Sequence, residues 1–204
     1  MNKQSWTSVN AAWTQRLAAL AVAVVLTGCA AVSHVATGDA VVGNRLALKL
    51  DTPWNQFEQG MSTSTPTWTV EGITVDALQF YVGVKDGAPI TRVNGSDNGK
   101  KPLTFKAAMQ PQDIVSLYEA LLTRDGSSFQ LEKLEPTEFL GGQGFRFEYT
   151  LNRKTDDVPM RGLAVGAVRN GELFVIQYSA PRLVFFPRYQ PRVEALIRSA
   201  SLKG

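Results

Sequence analysis

The chain has 204 residues, of which 44% are hydrophobic and 19% are charged, and its formal charge at pH 7 is +3. Without Lys3 and Arg16, which lie in the leader described below, 19 rather than 21 Lys and Arg residues stand against 18 Asp and Glu residues, so the rest of the chain is near +1. This charge does not favour a nucleic-acid partner. The single cysteine excludes an intrachain disulfide, and the length predicts one domain that folds without a disulfide or metal.

The first 28 residues have the order of a secretory signal. Lys3 and Arg16 supply positive charge, no acidic residue precedes Cys29, and an apolar run extends from Leu17 to Leu26. That run of about ten residues is too short for a membrane-spanning helix, which needs about 20. We therefore predict a signal peptide over residues 1–28.

The end of this leader, Leu26-Thr27-Gly28-Cys29, resembles the lipobox of bacterial lipoproteins at all four positions. The resemblance implies cleavage before Cys29 and acylation of its sulfur and new amino group, with palmitate as an expected acyl chain. Two or more such chains hold a protein stably on a bilayer. Ala30 rather than Asp follows the cysteine, which by resemblance implies export to the outer membrane with the domain in the periplasm. The alternative is a plain secretory signal followed by a free cysteine.

Residues 29–43 are mostly small and lack a clear period. We predict a lipidated N-terminus and flexible tether over 29–43, followed by a single domain over 44–204. His34, the only histidine, falls in the tether, so the predicted domain has neither histidine nor cysteine. This argues against His-based catalysis, Ser-His-Asp triads and zinc sites, and we expect no metal or cofactor.

The first half of the predicted domain has one strand signal, one hairpin signal and one helix signal. Arg45–Leu50 alternates leucine with other residues, which indicates a strand. Thr67–Val70 and Ile73–Val84 flank Glu71-Gly72 and predict a hairpin. Pro111–Arg124 has an apolar stripe at helical spacing and a proline suited to the first turn.

Two further strands follow. Phe129–Leu140 predicts a strand interrupted at Pro136, and Phe145–Leu151 alternates apolar and polar residues as a strand with one buried face does. Between them, Gly141–Gly144 predicts a turn rather than a phosphate-binding loop, because a strand and not a helix follows it.

The strongest hairpin signal is Asn170-Gly171, which lies between predicted strands over Arg161–Val168 and Glu172–Ser179. The second of these strands is apolar on both faces. It should therefore lie centrally in a sheet that is covered on each side.

A terminal helix is predicted over Tyr189–Ala200 from its apolar spacing. Phe185 and Phe186, just before it, are expected in the core. Four arginines could form a cationic face toward anionic lipid or cell-wall polymer, and the alternative is an ordinary solvated helix face. They are Arg182, Arg188, Arg192 and Arg198.

These elements predict an α+β fold, mainly an antiparallel β-sheet with helices packed on it. In element order the chain resembles the PsbP-like α/β/α sandwich group, which includes bacterial envelope lipoproteins. The resemblance lies in Asn170-Gly171-Glu172, the apolar strand Leu173–Ala180, aromatic Phe185 and Tyr189, and the segment Ile197–Ser201. It implies binding or support of larger assemblies rather than one shared chemistry.

Three functions stay open on these grounds. The first is a non-enzymatic, membrane-anchored envelope lipoprotein that contacts lipid through acylated Cys29 and binds a protein partner. The second is a carboxylate-based enzyme acting on cell-wall glycan or lipid, which needs two carboxylates about 5–10 Å apart across a cleft. The third is a small-ligand carrier with an apolar pocket between sheet and helix. The candidate carboxylates are Glu119, Glu148, Asp156, Asp157 and Glu172.

Overall fold

The computed structural model describes residues 32–57, 65–91 and 101–203, which form an α+β fold. Its strands are β1 (Val32–Val35), β2 (Gly38–Val42), β3 (Leu46–Leu50), β4 (Trp54–Phe57), β5 (Thr67–Thr69), β6 (Ala77–Val84), β7 (Ser128–Phe139), β8 (Gly142–Asn152), β9 (Pro159–Arg169), β10 (Glu172–Pro181) and β11 (Ser201–Leu202). Its helices are α1 (Pro111–Leu122) and α2 (Phe185–Ser199). A large antiparallel sheet has the order β1-β4-β5-β6-β10-β9-β8-β7, and a small one has the order β11-β3-β2.

The two helices cover opposite faces of the large sheet. Tyr118 of α1 contacts Tyr81 and Phe147, with ring centroids 5.0 and 5.6 Å apart. On the other face, Leu196 of α2 shares an apolar cluster with Ile176 and with the small sheet. The predicted α+β fold, with helices packed on a mainly antiparallel sheet, is confirmed, and its two apolar clusters both lie within the described residues.

Strand β10 has the central position that its sequence predicted, between β6 and β9. Leu173 and Val175 lie in the cluster under α1, whereas Phe174 and Ile176 lie in the cluster under α2. All four are at most 1% exposed. The Asn170-Gly171 hairpin before it is also confirmed, and its φ angles of 51° and 76° are the left-handed values that such two-residue turns require.

Strand β7 forms one edge of the large sheet and runs through Pro136, which lies opposite Phe145. The predicted interruption at Pro136 was therefore wrong. Proline has no N–H to donate, but an edge strand tolerates this because one side of its backbone has no neighbouring strand to bond.

The N-terminal part departs from the prediction. Residues 32–35 and 38–42 form β1 and β2, so the flexible tether predicted over 29–43 does not hold for residues 32–42. His34 lies on β1 opposite Asn55, and the folded part therefore does contain a histidine. These strands are too short for their pattern to be distinguished from a linker. The predicted signal peptide and Cys29 lie outside the described residues.

Helix α2 begins at Phe185, four residues before the predicted start at Tyr189. Pro187 falls in its first turn, where a missing N–H loses no intrahelical bond. Phe186 is buried against Tyr178, with centroids 5.8 Å apart, which confirms its predicted place in the core, and Phe185 is partly buried.

The hairpin of β5 and β6 is confirmed, but β6 begins at Ala77 rather than Ile73. The buried carboxylate of Asp76 organises the turn before it. It accepts hydrogen bonds from the hydroxyl of Thr69 at 2.6 Å and from the backbone N–H of Glu71 at 2.7 Å. The chain therefore folds around this carboxylate before the strand starts.

Replacing Asp76 with Ala is expected to lower the free energy of unfolding by about 3 kcal/mol, because several buried donors lose their acceptor. Urea unfolding followed by circular dichroism measures this loss. The matched control is Asp86→Ala, which removes one exposed hydrogen bond from the N–H of Ala107 and should lower the free energy by less than about 1 kcal/mol. Equal losses in the two variants would contradict the role of Asp76.

Candidate functional site

An open cleft of about 460 Å³ lies between the start of α1 and the large sheet. One wall is formed by residues 109–112 and Ile114, and β7, β8 and β9 contribute the other. Its main apolar side chains are Met109, Ile114, Leu134, Pro136, Phe145 and Val168, and its polar ones are Gln110, Gln112, Glu135 and Gln143. Small-molecule sites typically have about 300–1,000 Å³, apolar walls and a few polar groups. The cleft therefore suits a small, largely apolar ligand.

Local hydrogen bonds hold the helical wall in place. The N–H of Gln110 donates to the carboxylate of Asp113 at 2.9 Å, and Pro111 occupies the first helical position, where no N–H is needed. The N–H of Ala107 donates to Asp86 at 2.8 Å and ties the preceding segment to the end of β6. The wall is thus fixed by contacts on both sides of the helix start.

On the opposite face of the sheet, Arg146 and Glu148 of β8 form an ion-pair network. Arg146 contacts Glu148 at 3.0 Å and Glu194 of α2 at 2.7 Å, and Arg161 of β9 contacts Glu148 at 2.8 Å. Partial burial raises the pKa of Glu148, but hydrogen bonds from Arg161 and Arg146 outweigh it and hold that pKa below its usual 4.5. A general acid at neutral pH needs a raised pKa. The geometry therefore suits Glu148 to holding Arg146, which in turn joins the sheet to α2 through Glu194.

The other candidate carboxylates lie apart from this network. Glu119 is exposed on α1, and Glu172, Asp156 and Asp157 each have a separate partner. Those partners are Arg45, Arg153 and Asn152, at 2.6 Å in each case. None of the candidate carboxylates lines the cleft. Within the described ranges, no three His, Cys, Asp or Glu side chains are grouped so as to hold a metal ion.

Two of the four C-terminal arginines lie over aromatic rings, and three of the four, including Arg188, are exposed. Arg192 lies 4.0 Å from the centre of the Trp54 ring, and Arg188 lies over a phenylalanine of its own helix at 5.6 Å. Arg182 and Arg198 are exposed at different ends of α2. Two of the four arginines therefore stabilise the fold through contacts with aromatic rings.

The sequence raised a pocket between sheet and helix only as a requirement of a carrier, and it did not predict where the cleft lies or which residues line it. Its lining comes from separate segments, near residues 109–114, 134–136, 143–145 and 167–168, which only packing brings together. Among the lining residues, Pro111 at the start of α1 gave a local sequence signal, and that signal indicated the start of a helix rather than a binding site. Of the turn predicted over Gly141–Gly144, only Gly141 lies in the turn, because β8 already begins at Gly142. Gln143 and Gly144 line the cleft.

The fold is similar to that of cyanobacterial PsbP (CyanoP) from Synechocystis sp. PCC 6803, with a TM-score of 0.55 and 12% sequence identity over 87% of this chain and 96% of that chain. This likeness confirms the PsbP-like fold that the element order predicted. No protein-family model matches the sequence, and no curated protein is similar to it in sequence.

Two other solved structures show weaker likeness. PA94 from Pseudomonas aeruginosa, a protein of unknown function, has a TM-score of 0.39 and 12% identity over 73% of this chain and 91% of that chain. LpqN from Mycobacterium tuberculosis, involved in cell envelope biogenesis, has a TM-score of 0.34 and 11% identity over 88% of both chains. Scores this low do not establish a common fold. In the described part of the chain, no helix has the length and apolar character to cross a bilayer.

Glu148→Gln is expected to lower the free energy of unfolding at pH 7 by about 2 kcal/mol, because Arg146 and Arg161 lose their shared carboxylate. The pKa of Glu148 is lowered by folding, so its stabilisation is fully present above the unfolded-state pKa and is lost as the pH falls through the folded-state pKa. The difference between parent and variant should therefore shrink below pH 4.5.

Urea unfolding at a series of pH values between about 3 and 7 measures this difference. Glu119→Gln, which changes an exposed glutamate of α1, is the matched control and should leave stability nearly unchanged. A loss for Glu148→Gln that is the same at every pH would contradict the electrostatic explanation.

Proposed function

We propose that the protein is a bacterial envelope lipoprotein, held on the outer membrane by acyl chains on Cys29, with its domain in the periplasm. There it binds or supports a protein partner without catalysing a reaction. The observation that carries this proposal is the lipobox-like Leu26-Thr27-Gly28-Cys29, which ends three residues before β1 begins at Val32.

The short link strengthens the proposal. Three residues extend over at most about 10 Å, so an acylated Cys29 would keep Val32 within about that distance of the lipid headgroups. Holding a domain this close to a membrane raises its local concentration toward membrane-bound partners. The non-enzymatic role is supported by the candidate carboxylates, of which Glu148 is held by two arginines and three others each have a separate partner.

Cys29→Ser is expected to abolish incorporation of labelled palmitate, because the substituted hydroxyl cannot form the thioether that begins lipidation. Metabolic labelling followed by capture through a C-terminal tag measures incorporation. Ala30→Ser, next to the four matched residues, is the control and should retain the label. Equal labelling of the Cys29→Ser and parent proteins would contradict acylation at this position.

In-cell crosslinking of the same proteins, followed by mass spectrometry, tests the partner. One or two proteins enriched only with the acylated form would support binding at the membrane surface. Absence of any partner while Cys29 carries palmitate would overturn this part of the proposal and leave the anchor intact.

A second function, a carrier of a small apolar ligand, is favoured by the cleft between α1 and the sheet. Its volume and mixed lining match what such a site needs. Because the cleft is open, a ligand could enter without local unfolding.

Gln112→Trp is expected to fill the cleft, since Gln112 is exposed and forms part of its lining. The affinity for the apolar fluorescent probe N-phenyl-1-naphthylamine should fall at least about tenfold, which corresponds to about 1.4 kcal/mol. Fluorescence titration measures it. Glu119→Trp places the same ring on α1 away from the cleft and should bind as the parent does. Equal binding by both variants, or no binding by the parent, would contradict a carrier function.

A further inference from the structure

The turn between β10 and α2, residues 182–184, exposes two adjacent large aliphatic side chains. Leu183 is 80% exposed and Val184 is 52% exposed. The other large apolar side chains exposed in the described ranges, Val32, Val41 and Leu131, stand singly. Single exposed apolar residues are common, whereas a neighbouring pair at the tip of a turn forms a small candidate contact surface. We name residues 182–184 the apolar turn.

Contacts on both sides hold the apolar turn in this position. The N–H of Arg182 donates to the carbonyl of Pro159 at 2.9 Å, which ties the turn to the start of β9. Phe186, two residues after Val184, is buried, and the guanidinium of Arg161 lies 5.2 Å from its ring centre. Because the neighbouring positions are fixed, Leu183 and Val184 project outward as a consequence of the fold.

Positive charge flanks the aliphatic pair. Arg182 and Arg188 are exposed, and residues 182–188 include no acidic side chain. Glu71 lies 3.8 Å from Arg188 and partly offsets its charge. Asp156 pairs with Arg153, and Asp157 accepts a hydrogen bond from Asn152.

The small size of the apolar turn favours a lipid bilayer over a protein as its partner. A stable protein interface buries about 800 Å² on each side, which far exceeds what two aliphatic side chains can provide. Insertion into a bilayer needs only a few apolar side chains, with basic residues beside them to contact anionic headgroups. A single weak contact of this kind becomes effective when a second anchor holds the protein at the membrane.

We infer that the apolar turn inserts Leu183 and Val184 into an anionic phospholipid bilayer, with Arg182 and Arg188 at the headgroups. The inference rests on the proposed function only for the location of the protein at a membrane. The contact itself requires no acyl chain. Together with Cys29, it attaches the domain at two points and limits its rotation relative to the bilayer.

Vesicle sedimentation tests the inference with the chain from residue 30 onward, which retains every helix and strand described. This chain is expected to bind vesicles that contain phosphatidylglycerol and to bind phosphatidylcholine vesicles at least about tenfold less. Leu183→Ser combined with Val184→Ser should reduce the bound fraction on anionic vesicles about tenfold or more. Arg182→Gln combined with Arg188→Gln should remove the preference for anionic lipid.

Matched controls test whether the loss of vesicle binding is specific to the apolar turn or follows from removing any exposed aliphatic side chain or arginine. Val41→Ser changes an aliphatic residue of comparable exposure on β2, and Arg198→Gln changes an exposed arginine at the other end of α2. Both should bind as the parent does, and thermal unfolding should show that all variants are folded. Parent binding that is absent, insensitive to the turn variants, or equally weakened by the controls would overturn the inference.

The outcome is distinguishable from that of the proposed function. Vesicle binding by the chain without Cys29, together with no palmitate on the full chain, would support the apolar turn and overturn the anchor. Palmitate on Cys29, together with no vesicle binding by the chain without Cys29, would support the anchor and overturn the role of the apolar turn. A crosslink from position 183 to a protein, without vesicle binding, would show that the turn contacts protein and would also overturn the inference.

Discussion

The structure depends on burying both faces of β10. Its side chains alternate between two apolar clusters, with Leu173 and Val175 on one face and Phe174 and Ile176 on the other. A strand of this kind is stable only in the middle of a sheet that has a layer on each side. Helix α1 supplies one layer, and α2 with the small sheet supplies the other. The central place of β10 and the presence of a layer on each face of the sheet follow from this requirement.

Helix α1 is too short to cover the full width of the large sheet. A 12-residue helix such as α1 is about 18 Å long, whereas eight strands extend over about 34 Å. The cleft lies where the start of α1 meets β7, β8 and β9. The ion pairs of Arg146 join the opposite face to α2. The two edges of the sheet are β1 and β7, and the cleft lies at the β7 edge.

Local pattern was sufficient for the elements whose burial is strong and regular. The Asn170-Gly171 turn, the two-faced β10 and helix α1 were each predicted close to their observed bounds. Strands β1 and β2 were missed because, unlike the equally short β3 with its alternating leucines, they show no regular alternation of apolar residues. Pro136 was taken as a break because the sequence does not show that β7 is an edge strand. In each case the deciding information was the identity of the neighbouring strand.

The sequence by itself determined the α+β class of the domain, because alternating burial is a local property of a chain. The leader and the lipobox-like residues up to Cys29 are predictions from local pattern of the same kind. Only the tertiary structure decided the rest. It formed the cleft from distant segments, surrounded Glu148 with two arginines, and left Leu183 and Val184 projecting beside a buried Phe186. These features depend on which strands become neighbours and where a helix ends, and that is set by packing across the whole core.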